Sequence, residues 1–287
     1  MNFGSPLGGR RLRRLLAQLL PTLPTLVRPV FILGCGRSGT TILGETLDRH
    51  PQLAYLHEPR HIWAYEPRTD IWSEQAERVG GRLRLGVDDV RLESAAKIAS
   101  AFATEVSRRR ATFLVEKLPI NSFRVEYIAA LFSDARFVHI VRNGIEVARS
   151  IARRQAERGL WFGHRDYKWR LIAEQARATG HARLIELCST AELKGLLEWR
   201  LSVVTARAAL SRLPRECWLE VRYEDFIEDP AAVCQRLEPF IGIPPHQAMR
   251  DFAGAQLARR SQPADMRSIS AEAEQIAGAL LVELGYL

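Results

Sequence analysis

From residue 29 onward, short apolar runs alternate with longer stretches in which apolar residues recur every three or four positions. The runs "VFIL" (30–33), "TFLVEK" (112–117), "ARFVHIV" (135–141) and "CWLEVRY" (217–223) have the length and the β-branched or aromatic content of strands. Helical periodicity fills the intervals. It predicts helices from the glycine-rich stretch after residue 33 to about residue 49, and over 94–109, 122–132 and 144–158. A long helical region over 167–213 is expected to break near Gly180 and Gly195, and two further helices are expected over 229–241 and 271–284. His50-Pro51 ends the first helix, because a proline disfavours helical geometry in the residue before it. Residues 66–90, mixed in character, read as loop with short elements. Strands alternating with helices predict an α/β fold: a single-domain parallel β-sheet flanked by helices. In such sheets ligands bind beyond the carboxyl ends of the strands.

The first 27 residues do not follow this pattern. They read as a basic amphipathic extension, with a short helix over 10–20 that packs on the body of the protein or touches an anionic membrane or partner. Their apolar portion is shorter than the roughly 20 residues of a spanning helix and is interrupted by Pro21 and Pro24, and it lacks a signal-peptide cleavage pattern. Residues 28–287 then form the folded domain.

Composition narrows the classes. With 287 residues, 47% of them hydrophobic, the chain can bury a large core. The net charge of +8 is compatible with nucleic acid, an anionic membrane or an anionic small substrate. Much of the arginine sits beside acids in helical stretches, as in 154–158, which reads as solvated helix faces, so no nucleic-acid partner is expected. Cys35, Cys188, Cys217 and Cys234 have no metal-binding spacing; buried thiols and a cytoplasmic location are expected. There are only four lysines, Lys97, Lys117, Lys168 and Lys194, so the position of each matters.

The chemistry gathers at the predicted strand ends. "FILGCGRSGTT" (31–41) has the glycine spacing of a phosphate-binding loop, but Thr40 stands where such loops carry lysine, and the loop's cation is Arg37. Gly36, Arg37, Ser38, Gly39, Thr40 and Thr41 would surround an anion with amides and hydroxyls at a helix start; a plain glycine turn is the competing reading. Lys117 ends the second predicted strand. Arg142 ends the third, and Ser150 follows two helical turns later; together they make a second phosphate site, or else Arg142 pairs with a carboxylate and Ser150 packs in its helix. In "HPQLAYLHEPRHIWAYEP", Glu58 is a candidate general base, with Arg60, His57 and His61 beside it. Pro59 opposes a helical His57/His61 metal pair, and no metal is expected. Trp63, Tyr65 and Trp72 line an acceptor pocket or belong to the core.

In order, GxxRSGTT, HPxxxxxxEPR, EKxP, ARFVHIVRNGxxVARS and VRYEDF resemble the sulfotransferases that use 3′-phosphoadenosine 5′-phosphosulfate (PAPS), over residues 28–287, most closely the branch of tyrosylprotein sulfotransferases and many bacterial enzymes. The resemblance implies the P-loop NTPase-like sulfotransferase fold and sulfuryl transfer to a hydroxyl-bearing acceptor without a metal. It implies that the loop and Arg37 contact the phosphosulfate, with Arg37 also catalytic in stabilising charge on the bridging oxygen, that Arg142 and Ser150 hold the 3′-phosphate, and that Tyr223 contacts the donor. It also implies that Lys117 assists the leaving group, that Glu58 is the base and that Arg60 is its active-site neighbour; His57, His61 and Trp63 become candidate acceptor contacts. Two departures stand out. The histidine base of the small-molecule cytosolic enzymes is missing from "KLPIN", and their C-terminal Arg-Lys-Gly contact is absent, leaving Arg259, Arg260 and Arg267 as candidates to close over the donor. The alternatives are a P-loop kinase or NTPase, which would call on Glu224 or Asp225 for magnesium, and a catalytically idle PAPS-fold binding protein.

Overall fold

The computed structural model describes residues 26–258 and 269–287. The expected helix over 10–20 and the candidates Arg259, Arg260 and Arg267 lie outside the described residues.

The sheet has five parallel strands, one more than the sequence pattern suggests. They are β1 (Val30–Leu33), β2 (Leu53–His57), β3 (Phe113–Lys117), β4 (Arg136–Val141) and β5 (Trp218–Arg222), in the order β2-β3-β1-β4-β5. The additional strand is "LAYLH", which lacks the strand signature of "VFIL": it has no β-branched residue and a single aromatic. From β1 the chain runs to the edge as β2, returns as β3 beside β1, then crosses to β4 on the other side of β1. That reversal opens a crevice at the carboxyl ends of β1, β3 and β4, the place where open α/β sheets bind ligands.

Both faces of the sheet are covered, which is why its central strand β1 reads as an apolar run without polar alternation. In β1, Phe31 and Leu33 enter one core and Val30 and Ile32 the other. The larger core is closed by helices Leu92–Arg108, Gly144–Arg158, Ala191–Leu210 and Ala271–Glu283, through residues such as Phe102, Ile151, Trp199 and Leu281. The smaller is closed by Thr40–Leu47, Pro230–Ile241 and Gln247–Leu257, through Leu43, Leu237 and Leu257. The last of these helices has no counterpart in the sequence reading.

The long helical region is three helices, Tyr167–Ala178, Ala182–Glu186 and Ala191–Leu210. The chain turns at Gly180 as expected, but Gly195 lies inside a helix rather than at a break. There a Cβ would come within 2.9 Å of Ile151 Cγ2, so Gly195 serves the close approach of helix Gly144–Arg158 and does not end its own helix. The second break falls instead just before Thr190, whose side chain accepts a hydrogen bond from the Leu193 amide and caps the third helix. The expected 122–132 helix is a 3₁₀ segment, Pro119–Phe123, followed by Val125–Leu131. Cys35, Cys188 and Cys234 are buried, and burial pushes all three thiols up, away from reactivity. No helix among the described residues is long and apolar enough to cross a membrane.

Candidate active site

β2 is what brings the proposed base to the crevice. It pairs with β3 so that His57 is opposite Lys117, and the next amide, that of Glu58, donates to the Lys117 carbonyl at 2.8 Å. Glu58 then adopts φ 47°, a left-handed conformation uncommon for a residue with a side chain. The Arg60 amide closes a tight turn onto the Glu58 carbonyl at 2.7 Å. The result turns the carboxylate back onto β3: Lys117 Nζ donates to Glu58 Oε1 at 2.9 Å, and Arg60 Nη2 donates to Oε2 at 2.9 Å. Strained backbone of this kind concentrates at functional sites.

The electrostatics follow from the geometry. Lys117 is only 1% exposed, and burial pulls its ammonium below its ordinary range, against the pull of Glu58. For Glu58 burial acts upward, but Lys117 and Arg60 outweigh it and hold the carboxyl below its usual value. Glu58 is therefore a carboxylate at neutral pH, ready to accept a proton. Behind Lys117, Glu116 is fully buried against Trp63 Nε1 and Asn121 Nδ2, and burial raises it to about 8.

Replacing Arg60 with Ala removes one cation from Glu58, so its pKa rises. Activity that needs the carboxylate is then lost at a higher pH, and the acid limb of the kcat/KM profile is expected to move upward. An unshifted acid limb would remove Glu58 from the role of titrating base.

The glycine loop closes the crevice from the β1 side. Gly39 has φ 94°, and a Cβ there would lie 2.3 Å from the Tyr223 ring, so both the conformation and the close approach require glycine. Arg37 also has a positive φ, 75°. The amides of Arg37, Gly39 and Thr40 have no acceptor among the described residues, and Ser38 Oγ is buried without a hydrogen-bond partner there. Donors left unmet in this way, at the start of helix Thr40–Leu47, are suited to an anion.

Beyond the loop the structure shows the carboxylate pairing of Arg142 and the burial of Ser150, together with contacts that join both residues to the loop. Arg142 does pair with a carboxylate, that of Glu146 at 2.5 Å, and Ser150 is buried in its helix. Yet Arg142 Nη1 also donates to the Arg37 carbonyl at 3.2 Å, its guanidinium stacks 4.5 Å over Tyr223, and Arg37 Nε donates to Ser150 Oγ at 3.0 Å. Burial and the nearby charges of Arg154, Arg142 and Arg153 lower Arg37. Like charges crowded in this way favour an anion between them.

A cavity of about 940 Å³ joins most of these groups. Gly36, Arg37, Thr40 and Thr41 line it on the loop side, and Glu58, Arg60 and Lys117 on the β3 side. His57 and His61 also line it, with Trp72, over which Arg60 stacks at 4.1 Å. Arg142, Ser150 and Tyr223 lie outside the cavity, connected to it through Arg37. Trp63 borders the cavity but is 1% exposed and packs on Phe31 and Phe102, so most of its surface belongs to the core; Tyr65 does not line it.

The family model described as "Sulfotransferase family" matches residues 29–247. The chain belongs to the sulfotransferase family. Among curated relatives, protein-tyrosine sulfotransferase 1 of Mus musculus is 33% identical over 132 residues, 44% of this chain and 34% of that protein. Nodulation protein NoeE of Sinorhizobium fredii (strain NBRC 101917 / NGR234) is 26% identical over 238 residues, 79% of this chain and 52% of that protein. The matches thus span between about a third and a half of these relatives' lengths. Among solved structures, the sulfotransferase domain from the curacin biosynthetic pathway superposes with a TM-score of 0.56 at 17% identity, covering 91% of this chain and 99% of that one. This last likeness is one of fold.

The sulfotransferase chain also places residues in the cavity that sequence reasoning missed. Arg154 and Arg158, read as members of a solvated face, line it, as do Trp161, Lys168 and Glu198. The available signal was the spacing: Arg154 follows Ser150 by four positions and Arg158 follows Arg154 by four, which puts them on one side of helix Gly144–Arg158. Glu224 and Asp225, the acids that a magnesium-nucleotide site would call on, are engaged elsewhere. Glu224 accepts from the Asn143 amide at 3.0 Å and from the Tyr286 hydroxyl at 2.7 Å, and Asp225 lies 3.8 Å from Arg222. No cluster of three or more possible metal ligands occurs among the described residues.

Proposed function

We propose that this chain transfers the sulfuryl group of PAPS to a hydroxyl-bearing acceptor by in-line displacement. The observation that carries this reading is the Glu58–Lys117 pair, joined at 2.9 Å and facing a lysine-free glycine loop across one cavity. The donor set suits PAPS. Unmet loop amides and the Thr40 and Thr41 hydroxyls fit the phosphosulfate, and the crowded guanidiniums of Arg37, Arg142 and Arg154, with Ser150, fit a second phosphate.

In the reaction, Glu58 accepts the proton of the acceptor hydroxyl as its oxygen bonds to sulfur. The bond from sulfur to the bridging oxygen breaks, and charge builds on that oxygen. Lys117, with three N–H donors, can keep one on Glu58 and give another to the leaving oxygen. Its burial makes that interaction stronger than it would be in water. As in phosphoryl transfer, positioning and charge stabilisation do most of the work.

The acceptor belongs to the class of hydroxyl compounds: a peptide tyrosine, as the mouse relative's name states for that protein, or a carbohydrate, lipid or secondary metabolite. A cytoplasmic location and the absence of a metal requirement are parts of the same proposal.

Calorimetric titration with adenosine 3′,5′-bisphosphate, AMP and magnesium-ATP, with and without EDTA, tests the donor class. Binding of the bisphosphate that EDTA does not change, with AMP and ATP far weaker, is expected. A preference for magnesium-ATP would overturn the reading in favour of a kinase or NTPase.

A further inference from the structure

One polar cluster in the cavity wall has no part in the chemistry above. Lys168 and Glu198 are each about 5% exposed, and Lys168 Nζ lies 2.6 Å from Glu198 Oε1. A buried ion pair is weak evidence for stability, because desolvation offsets much of its attraction. What distinguishes this pair is where its remaining bonds go. Glu198 Oε2 accepts from Trp161 Nε1 at 2.9 Å. The Lys168 ammonium donates to the Trp161 carbonyl at 3.4 Å and lies 4.5 Å from the centre of its ring. A fourth contact, from the Trp161 amide to Gln155 Oε1 at 2.9 Å, fixes the other side of its backbone. The short segment that carries Trp161, between helices Gly144–Arg158 and Tyr167–Ala178, is thus tied down at amide, carbonyl and indole nitrogen.

The free edge of the same indole rests on the glycine loop. A Cβ on Gly36 would fall 2.6 Å from Trp161 Cη2 and 3.0 Å from Cζ2, so ring and backbone are in contact and only glycine leaves room. Core filling does not account for this arrangement. Trp63 and Trp199 are 1% and 0% exposed, whereas Trp161 stays partly exposed and forms part of the cavity wall.

We propose that Trp161 is a positioning residue for the donor: the Lys168–Glu198 pair holds its indole against Gly36, and the indole holds the loop amides ready for the anion. Free loop amides lose conformational freedom when they close on an anion, and a loop already held loses less. This inference rests on the donor reading above, and its test separates the two.

Amide hydrogen exchange over residues 34–41 and bisphosphate affinity are measured for the wild type, for Trp161→Phe, which loses the indole N–H, for Trp161→Leu, and for the double variant Lys168→Met/Glu198→Gln. With no ligand present, loop exchange is expected to quicken in all three variants while exchange over β5 stays unchanged. Bisphosphate Kd is expected to rise about five-fold in Trp161→Phe, the loss of roughly one hydrogen bond, and by about ten-fold or more in Trp161→Leu. Gly36→Ala should weaken binding less in the Trp161→Leu background than alone. If Trp161→Leu fails to fold, Trp161→Phe decides. Wild-type loop exchange and affinity in a folded Trp161 variant would overturn the clamp. A wild-type protein that does not bind the bisphosphate, yet whose loop exchange responds to Trp161, would overturn the donor reading and leave the clamp standing.

Discussion

Glu58→Gln is expected to lower turnover by about 10²–10⁴-fold, the usual contribution of a general base, and to leave affinity for adenosine 3′,5′-bisphosphate unchanged. The amide keeps the size of the carboxylate, and its single carbonyl oxygen can still accept from Lys117 Nζ, which lies 2.9 Å from Oε1, while the NH2 group in the other position gives up the Arg60 bond. It cannot take a proton. The donor's second phosphate, in our proposal, lies with Arg37, Arg142 and Ser150, groups that make no contact with Glu58 among the described residues. Steady-state kinetics for turnover and calorimetry for binding separate the two effects. Full activity in this variant would move the base to another residue, with His57 and His61, both on the cavity wall, next in line.

The second large effect is the mirror image. Arg142→Ala is expected to weaken bisphosphate binding by about 10- to 150-fold, the equivalent of one hydrogen bond to a charged group, with the upper end favoured. Three changes act together. The guanidinium is lost, the Glu146 carboxylate it neutralises at 2.5 Å is left beside the anion, and the Arg37 carbonyl and Tyr223 ring lose a partner that fixes the loop. Because Arg142 lies outside the cavity that holds Glu58 and Lys117, the maximal rate at saturating donor should suffer less than the affinity. Equal loss of bisphosphate affinity in Arg142→Ala and Glu58→Gln would collapse the separation between donor site and base.

The order of motifs along the chain was enough to indicate a parallel α/β sheet with its chemistry at the strand ends. That legibility has a physical basis. A strand buried on both faces is mostly a continuous apolar run, and a backbone that wraps an anion favours glycine where φ turns positive, as at Gly34 and Gly39, so β1, β4 and the loop at 34–39 appear in the residues themselves. β2 does not, since "LAYLH" has no β-branched residue and a single aromatic, and without them a short apolar run could be strand, helix or loop. Its identity is decided by the vacant edge of β3, with which it pairs in register. Gly195 shows the same limit: a glycine reads as a break until the partner helix that presses on it is known.

The sequence by itself determined which groups are available: a loop with arginine in place of lysine, a glutamate before Pro59, a lysine ending a strand, and an arginine with a serine eight positions later. Only the tertiary structure decided how they meet. It joins Glu58 to Lys117 across 59 positions and Arg37 to Ser150 across 113. It also commits Glu224 to Tyr286 rather than to the loop, and sets Trp161 against Gly36 through a buried ion pair. Local pattern reports the period and chemistry of each segment. Contacts between distant segments depend on strand register and on the chain reversal at β1, which no single segment contains.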